Sequence, residues 1–226
     1  MQISALIAVR SGSERVKNKN IKEFAKDTSL LEIKVLQAVS SKHIENVYVS
    51  SDSKKMLDIS QRLGAIPIKR EPYYASSEVP MNLVYEHMAK QIECTDIVYL
   101  HVTSPLLKDS TLKLSIEKYK SLDFNYYDSL ATVSSVHEYL WQNGKPLNYD
   151  PAKHPRSQDL PEILSLNFAI NIISRKNMIK YKNIVGKRFY PLILSKYESV
   201  DVDTNFEFDI AEYLYTKNDS KVKLEK

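Results

Sequence analysis

The stretch ALIAVRSGSERVKNKNIKEF, residues 5–24, joins an apolar run to a loop crowded with small and basic residues. The apolar run, Ile3–Val9, is nearly continuous, which is typical of a strand buried on both faces of a parallel sheet. Ligands bind at the carboxyl ends of the strands in such sheets, and the loop begins at this end of the strand. The stretch therefore predicts an α/β fold with a ligand site directly after its first strand.

The loop carries the residue types that hold phosphate groups. Gly12 allows close approach of the backbone, and Ser11 and Ser13 add hydroxyl and N–H donors. Arginine and lysine add the positive charge that a triphosphate requires. The loop matches neither GxGxxG nor GxxxxGK[ST], so it predicts neither a dinucleotide site nor a P-loop. The alternative is a solvated basic turn. The other polar residues of the loop are Arg10, Arg15, Lys17, Lys19 and Asn20.

Alternating strand and helix patterns continue along the chain and predict a doubly wound sheet. Strands are expected at 46–50, 66–68, 97–102, 129–136 and 167–174, and helices at 30–39, 53–63, 84–92, 109–119 and 206–215. The stretch 137–164 breaks this rhythm with Trp141, Gly144 and four prolines, and predicts an extended excursion. No repeat or linker divides the 226 residues, so a single domain is expected.

The composition is that of a globular protein, with 43% hydrophobic and 27% charged residues. No stretch approaches the roughly 18 apolar residues of a membrane span, and the N-terminus reads as a strand rather than a signal peptide. The net charge of +4 is too mild to indicate nucleic-acid binding. The single cysteine, Cys94, allows no intrachain disulfide. We therefore expect a cytoplasmic protein with no membrane and no nucleic-acid partner.

Two carboxylates stand close together in SVDVDTNFEFDIAEYL, residues 199–214. In an extended segment Asp201 and Asp203 point to the same side, which suits a hard cation such as Mg²⁺ that bridges to phosphates. With the basic loop they predict a triphosphate clamp. The alternative is a turn or helix-capping role for both aspartates, and Thr204 is a further candidate cap. Asp209, inside the last predicted helix, is expected to be solvated.

The first loop resembles the nucleotide-binding signature of the acylneuraminate cytidylyltransferases, enzymes that join CMP from CTP to an acidic sugar. The resemblance implies that Arg10, Ser13 and Lys19 contact the triphosphate and that Asn20 contacts the ribose. D-V-D-T is similar to the family's magnesium-binding D-x-D-T segment. It therefore implies that residues 201 and 203 are the metal ligands of an enzyme that uses Mg²⁺ as its cofactor.

One residue of the loop departs from the family pattern. Glu14 stands where many members carry a lysine, and Arg15 next to it supplies a replacement charge. SSDS, residues 50–53, follows the second predicted strand as a similar family element does. KREPYYASSEVPMN, residues 69–82, resembles the loop that holds the cytosine and ribose, and it implies contacts by Arg70 and Asn82. A surface ion pair is the alternative for Arg70.

LHVTSPLLKD, residues 100–109, is similar to the motif that closes the floor of the family's sugar pocket. His101 takes the place of a glutamine that many members use near the sugar, and Ser104 is expected to shape the loop beside it. A purely structural role is the alternative for the histidine.

HPRSQDLPEILSLNFAI, residues 154–170, resembles the family segment around the acceptor. The resemblance implies that Arg156 holds the sugar carboxylate, as a guanidinium can do bidentately, and that Gln158 and Asn167 make polar contacts. Ser165 and Phe168 depart from the family pattern, which often has arginine and glycine there. They favour a related acceptor, because a bulky ring would narrow or reshape the pocket.

The resemblance covers nearly the whole chain and implies a Rossmann-like, mostly parallel sheet flanked by helices. It also implies an extended arm, at about 137–190, that mediates homodimerisation. The expected reaction is attack of the acceptor's anomeric hydroxyl on the α-phosphorus of CTP, with release of pyrophosphate. Lys19, Asp201 and Asp203 are the expected catalytic residues. Two alternatives remain: a different acidic acceptor, or a non-catalytic nucleotide-binding protein with the same fold.

Overall fold

The computed structural model describes residues 1–12, 15–25 and 27–224, with side chains as far as residue 217. Its strands are β1 (Ile3–Ala8), β2 (Glu23–Ala25), β3 (Thr28–Ser29), β4 (Val47–Ser51), β5 (Ile66–Lys69), β6 (Asp96–Leu100), β7 (Ser129–Val136), β8 (Trp141–Gln142), β9 (Lys145–Pro146), β10 (Ile163–Ser174) and β11 (Phe189–Ile193). Its helices are α1 (Leu30–Val39), α2 (Lys54–Arg62), α3 (Pro72–Ala75), α4 (Met81–Lys90), α5 (Asp109–Lys120), α6 (Arg175–Tyr181) and α7 (Asn205–Leu224), with a 3-10 helix at Ser157–Asp159.

Seven strands form the main sheet, in the order β11-β7-β10-β6-β1-β4-β5. Within this sheet β10 runs antiparallel to both neighbours, and the other pairs are parallel. Every residue of β6, and every residue of β1 except Ala8, is buried. Central strands of a parallel sheet are covered on both faces, which explains their apolar composition. The expected Rossmann-like, mostly parallel sheet flanked by helices is confirmed.

The core lies on both faces of the sheet, because successive strand residues point to opposite sides. Ile7 of β1 belongs to the cluster that includes residues of α1, α5 and α7. Leu6 belongs to the cluster that includes residues of α4 and α6. None of the helices in the described part of the chain combines the length and the apolar character that crossing a membrane requires.

The start of α1 is fixed by a capping box. The Ser29 hydroxyl accepts a hydrogen bond from the Glu32 N–H at 3.3 Å, and the Glu32 carboxylate accepts one from the Ser29 N–H at 2.9 Å. The Leu31 N–H also donates to the Asn20 carbonyl at 3.0 Å. The end of the basic loop is therefore anchored to a helix whose first residue is fixed.

The segment that leaves the main sheet is shorter than the expected arm at 137–190. It spans residues 137–162 and holds the β8–β9 hairpin and the 3-10 helix. The remainder belongs to the body of the fold: β10 pairs with β6 and β7, and α6 packs against α4. The buried apolar run at residues 169–173 gives β10 its place inside the sheet. We call residues 137–162 the arm from here on; its predicted role in dimerisation stays a prediction.

Parallel pairing brings the carboxyl ends of β1, β4 and β6 to the same edge of the sheet. Ala8 is level with Ser50, and Ile7 is level with Leu100. The loops that follow β1 and β6 therefore open side by side at the centre of this edge, where α/β sheets bind ligands.

Candidate functional site

A cleft of about 270 Å³ lies between the loops that follow β1 and β6. The first loop contributes three cationic side chains and the second contributes a histidine. Five residues predicted for the site line the cleft: Arg10, Arg15, Lys19, Asn20 and His101. The structure thus brings together most of the predicted nucleotide-binding residues of the first loop.

Arg10 and Asn20 are fixed by contacts with the backbone. An Nη1–H of Arg10 donates to the Ala75 carbonyl at 3.2 Å, which ties the guanidinium to the end of α3. The buried Asn20 side chain donates to the Arg10 carbonyl at 3.3 Å. The two ends of the loop are thereby joined, and the loop is pre-shaped for a ligand.

Ser11 is held by Asp52, which belongs to the SSDS element but was not predicted as a site residue. The Ser11 N–H donates to Asp52 Oδ1 at 2.9 Å, and its hydroxyl donates to Oδ2. Burial alone would raise the pKa of Asp52, but the bonds from Ser11 and the charge of Arg70 outweigh it and leave that pKa below its usual value. The sequence signal for a site role of Asp52 was its position directly after β4, a buried strand that pairs with β1. Ser13 and Glu14 lie outside the described residues.

The C-terminal segment enters the site through the peptide groups of Val202. The Val202 N–H donates to the Thr103 carbonyl at 2.8 Å, and the Val202 carbonyl accepts a hydrogen bond from Lys19 Nζ. Thr103 lies in the loop after β6, whereas Lys19 lies in the loop after β1. One residue of the C-terminal segment therefore connects both walls of the cleft.

Asp203 is neutralised by the basic loop. Two guanidinium nitrogens of Arg15 donate to its two carboxylate oxygens, each at 3.0 Å, and Lys19 Nζ lies 3.6 Å from Oδ1. The carboxylate of Asp201 is hydrogen-bonded by the Thr103 side chain. The pKa of Asp201 is raised chiefly by desolvation; the Thr103 bond opposes this rise and the nearby Asp203 charge adds to it.

The helix cap after these aspartates comes from other residues. The Thr204 N–H donates to the Glu207 carboxylate at 2.7 Å, and the Thr204 hydroxyl donates to the same oxygen. Glu207 lies in the first turn of α7, so this pair caps the helix. Asp201 and Asp203 instead contact the two loops of the cleft, which argues against the capping alternative. Asp209 is exposed, as expected.

The two aspartates supply the type of ligand, carboxylate oxygen, that a magnesium ion prefers. Mg²⁺ is usually held by one or two carboxylates, with substrate phosphates and water completing its shell. The described residues contain no group of three or more histidine, cysteine or acidic residues that could hold a metal by itself. The mutual repulsion that contributes to the raised pKa of Asp201 is the repulsion that a cation would relieve. A metal would have to compete with Arg15 and Lys19 for Asp203.

His101 is neutral and largely enclosed. Burial, reinforced by the charge of Lys34, lowers the pKa of His101 to about 4. Its ring lies 4.9 Å from that of Tyr99 and 6.0 Å from that of Phe168, between centroids. Its Nε2 is buried and has no hydrogen-bond partner among the described residues. The ring thus forms an aromatic wall of the cleft and adds no charge to it.

Asn167 and Phe168 form an irregular point of β10, next to His101. The pairing of β10 with β7 changes register between Leu166 and Asn171, and Phe168 has a φ of +58°. The Asn167 side chain donates to the Ser134 hydroxyl at 3.1 Å and accepts from the Ala169 N–H at 3.3 Å, which secures the bulge. A positive φ favours glycine, so this phenylalanine is held in a strained backbone conformation.

Arg70 lies below the cleft instead of lining it. It is buried, and one of its guanidinium nitrogens donates to the carbonyls of Val9 and Ser50, at 2.9 Å for the latter. Burial lowers the pKa of this arginine, although the charges of Tyr99 and Asp52 oppose that shift. Arg70 thus ties β5 to the ends of β1 and β4 and is no surface ion pair. The predicted contact with the base stays a prediction.

Eight other predicted residues of the described structure are also absent from the cleft lining: Ser11, Asn82, Ser104, Arg156, Gln158, Asn167, Asp201 and Asp203. Ser104 is buried behind the wall that His101 forms, and Asn82 is exposed in the first turn of α4. Arg156 and Gln158 are exposed on the arm, where Arg156 pairs with Asp159 at 2.8 Å. Their predicted contacts with the nucleotide and the acceptor also stay predictions.

Comparison with known proteins gives one family. The sequence profile described as cytidylyltransferase matches residues 4–218. The chain is 31% identical over 219 residues to an N-acylneuraminate cytidylyltransferase of Oncorhynchus mykiss, covering 93% of this chain and 49% of that protein. It therefore spans about half the length of this relative.

Two further proteins are similar over nearly their whole length. A CMP-N,N'-diacetyllegionaminic acid synthase of Legionella pneumophila is 27% identical over 232 residues, covering 96% of this chain and 98% of that protein. A solved structure of CMP:2-keto-3-deoxy-manno-octonic acid synthetase complexed with CTP has a TM-score of 0.70 at 14% identity, covering 96% of this chain and 100% of that chain. The likeness to this structure shows a shared fold.

The backbone of Phe168 generates the first prediction. Phe168→Ala and Phe168→Gly both remove the ring, but glycine also relieves the left-handed conformation, so the glycine variant should be more stable by about 1 kcal/mol. Urea unfolding of the two variants measures this difference.

Phe124 provides the control for that comparison. Its exposure, 41% against 38% for Phe168, is similar, and it is not among the residues with positive φ. At this position alanine should be the more stable replacement. The same order at both positions would contradict the strain at Phe168.

Proposed function

The chain belongs to the cytidylyltransferase family, and from this membership we propose that it transfers CMP from CTP to an acidic sugar, with release of pyrophosphate. The acceptor class is a sialic acid or a related nonulosonic acid, in keeping with the names of the relatives. The observation that carries the proposal is the contact between the cationic first loop, which lines the cleft, and the segment that carries Asp201 and Asp203. This arrangement suits a triphosphate.

The loop residues would bind the triphosphate and stabilise the leaving group. The acceptor oxygen forms a bond to the α-phosphorus, and the bond from that phosphorus to the pyrophosphate oxygen breaks. Arg10 and Lys19 line the cleft and would neutralise the charge that develops on pyrophosphate. In such a reaction the protein contributes position and electrostatics and forms no covalent bond to the substrate.

Asp201 is better suited than Asp203 to orient the attacking hydroxyl. Both oxygens of Asp203 accept hydrogen bonds from Arg15, whereas the carboxylate of Asp201 is hydrogen-bonded by the Thr103 side chain. A carboxylate can accept several hydrogen bonds, so Asp201 keeps acceptor capacity for the hydroxyl. We therefore propose that Asp201 orients the hydroxyl and that Asp203 holds the cationic loop until a cation binds.

Magnesium is the cofactor that we propose, held by the same two aspartates. When bound, Mg²⁺ would neutralise phosphate charge beside the loop. Occupation of this pair by a cation would also free Arg15 and Lys19 from Asp203 for the triphosphate. The ion pairs of the described structure would then be replaced by contacts with the ligand.

We further propose a cytoplasmic homodimer. The arm, residues 137–162, exposes apolar side chains that a second copy of the chain would cover, including Trp141, which is 57% exposed, and Leu147. Cys94 is a free thiol, in keeping with a reducing compartment. CTP and an acidic sugar are the expected small-molecule partners.

A second candidate keeps the nucleotide and changes the acceptor. Phe168 packs beside His101, which lines the cleft, and its ring would restrict the acceptor that fits there. A 3-deoxy-octulosonate or another acidic sugar is then the substrate. A third candidate is a nucleotide-binding protein without turnover.

A pyrophosphate-release assay distinguishes these candidates. The protein is incubated with CTP, Mg²⁺ and one sugar in each reaction: N-acetylneuraminate, N,N'-diacetyllegionaminate or 3-deoxy-octulosonate. In a separate experiment, calorimetry compares the affinities of the protein for CTP, ATP and GTP. We expect release with one of the first two sugars and tighter binding of CTP. Release with octulosonate alone favours the second candidate, and CTP binding without release favours the third. Equal affinity for the three nucleotides would contradict the proposed function.

Replacement of each aspartate by asparagine tests its catalytic role. Asp201→Asn and Asp203→Asn keep the shape of the side chain but remove a negative oxygen, so turnover should fall at least about a hundredfold. The melting temperature should change little. Asp209→Asn is the matched control, because Asp209 is an exposed aspartate in α7. Turnover like that of the wild type in both site variants would contradict the assignment.

A further inference from the structure

Lys34 is a fully buried lysine that the proposed mechanism does not use. It lies on α1, and its Nζ donates to the Ser104 carbonyl at 3.0 Å and to Gln37 Oε1 at 2.8 Å. Both acceptors are neutral. The ion pairs formed by the described residues do not include Lys34. The ammonium group is therefore buried without a paired counter-ion.

Two titratable side chains of the described structure face Lys34. Asp109, at the start of α5, attracts the ammonium from a distance, but its carboxylate accepts a hydrogen bond from Gln37 Nε2 at 2.9 Å. His101, at the end of β6, is neutral because burial and the charge of Lys34 lower its pKa. Burial of a cation without a partner is costly, and it lowers the pKa of Lys34 to about 7, with Asp109 opposing the shift.

The ammonium lies directly behind the wall of the cleft. Ser104, whose carbonyl it holds, follows Thr103 in the loop after β6, and both His101 and Thr103 line the cleft. Thr103 in turn holds the backbone of Val202. The loop after β6 thus separates Lys34 from a ligand in the cleft. The positive charge of Lys34 already acts on His101, a residue that lines the cleft, by lowering its pKa.

We propose that Lys34 is a positioning residue whose charge is completed by the substrate: an anion bound in the cleft supplies the missing counter-charge, and Lys34 takes up a proton on binding. The proton comes from the buffer and is held on Nζ, and no covalent bond changes. The protonated side chain then holds the Ser104 carbonyl more strongly and fixes the loop that carries Thr103. This inference rests on the proposed function, because it requires an anionic substrate.

The sign of the effect on folding follows from linkage. The pKa of Lys34 is lower in the folded protein than in the unfolded chain, so the unfolded chain binds more protons between about pH 7 and pH 10. Relative to Lys34→Met, the wild type should therefore gain stability as the pH rises through this window. Below it, both states of the wild type hold the proton, and the difference between wild type and variant should be constant.

Titration calorimetry tests the uptake of a proton. CTP with Mg²⁺ is titrated into the wild type at about pH 7.5 in two buffers that differ in ionisation enthalpy, so that the difference between the observed heats reports proton uptake. We expect Lys34→Met to bind CTP with on the order of half a proton less uptake than the wild type. In a second arm, N-acetylneuraminate is added to protein saturated with CTP, which shows whether the nucleotide or the sugar carboxylate is the coupled anion.

Lys54→Met is the matched control, because Lys54 is an exposed lysine of α2 that pairs with Asp58. Its proton uptake should equal that of the wild type. Binding of either ligand with less uptake in Lys34→Met alone supports the inference. Binding with equal uptake in all three proteins overturns it and leaves the proposed function intact. Failure of CTP to bind the wild type contradicts the proposed function, and the inference with it.

The dependence of stability on pH gives an independent result. Unfolding of the wild type and of Lys34→Met is compared at several pH values between about 6 and 10. A stability difference that changes across this range, in favour of the wild type at high pH, is expected. A difference that is the same at every pH would show that Lys34 has no lowered pKa and would overturn the inference.

Discussion

Val202 is held from two sides through its backbone N–H and its backbone carbonyl, and the candidate site depends on this constraint. Its N–H is bound by the loop after β6 and its carbonyl by Lys19 of the loop after β1. Because these contacts use the backbone, the side chains of Asp201 and Asp203 are left to contact Thr103 and the cationic loop. The same residue is fully buried, so the segment is also fixed by packing. Two segments that lie 188 residues apart in the chain thus form one site, at the sheet edge where such folds bind ligands.

The charges of the site are arranged in opposed pairs that a triphosphate and a cation could exchange. Arg15 and Lys19 neutralise Asp203. Arg10 and Asn20 are instead fixed by backbone contacts before a ligand arrives, and donors fixed in this way lower the cost of reorganisation in an electrostatic site. Lys34 adds a buried amine behind the wall that forms no ion pair with the described residues. In our proposal, an anion bound in the cleft supplies the counter-charge that keeps this amine protonated.

Much of the fold could be predicted because most of its strands and helices have recognisable local sequence patterns. The apolar run Ile3–Val9 and the helical pattern at 30–39 predicted β1 and α1 nearly to the residue. The early start of β10 depends on its pairing with the end of β7, which no local pattern shows. The first loop and the carboxylate pair were predicted to act together as one clamp. The hydrogen bond between Val202 and Thr103 was not predicted, because these residues lie 99 positions apart in the sequence. Sequence also could not tell that Arg70 turns inward to the strand ends.

A double-mutant cycle between Lys19 and Asp203 tests most directly whether the two ends of the chain form one site. The affinity for CTP in Mg²⁺ is measured by calorimetry for the wild type, Lys19→Ala, Asp203→Asn and the double variant. These two side chains lie in contact. The change in CTP binding free energy in the double variant should therefore differ from the sum of the changes in the single variants by about 0.5–3 kcal/mol. Additivity within about 0.3–0.5 kcal/mol would show that the loop and the C-terminal segment act independently, and would contradict the account.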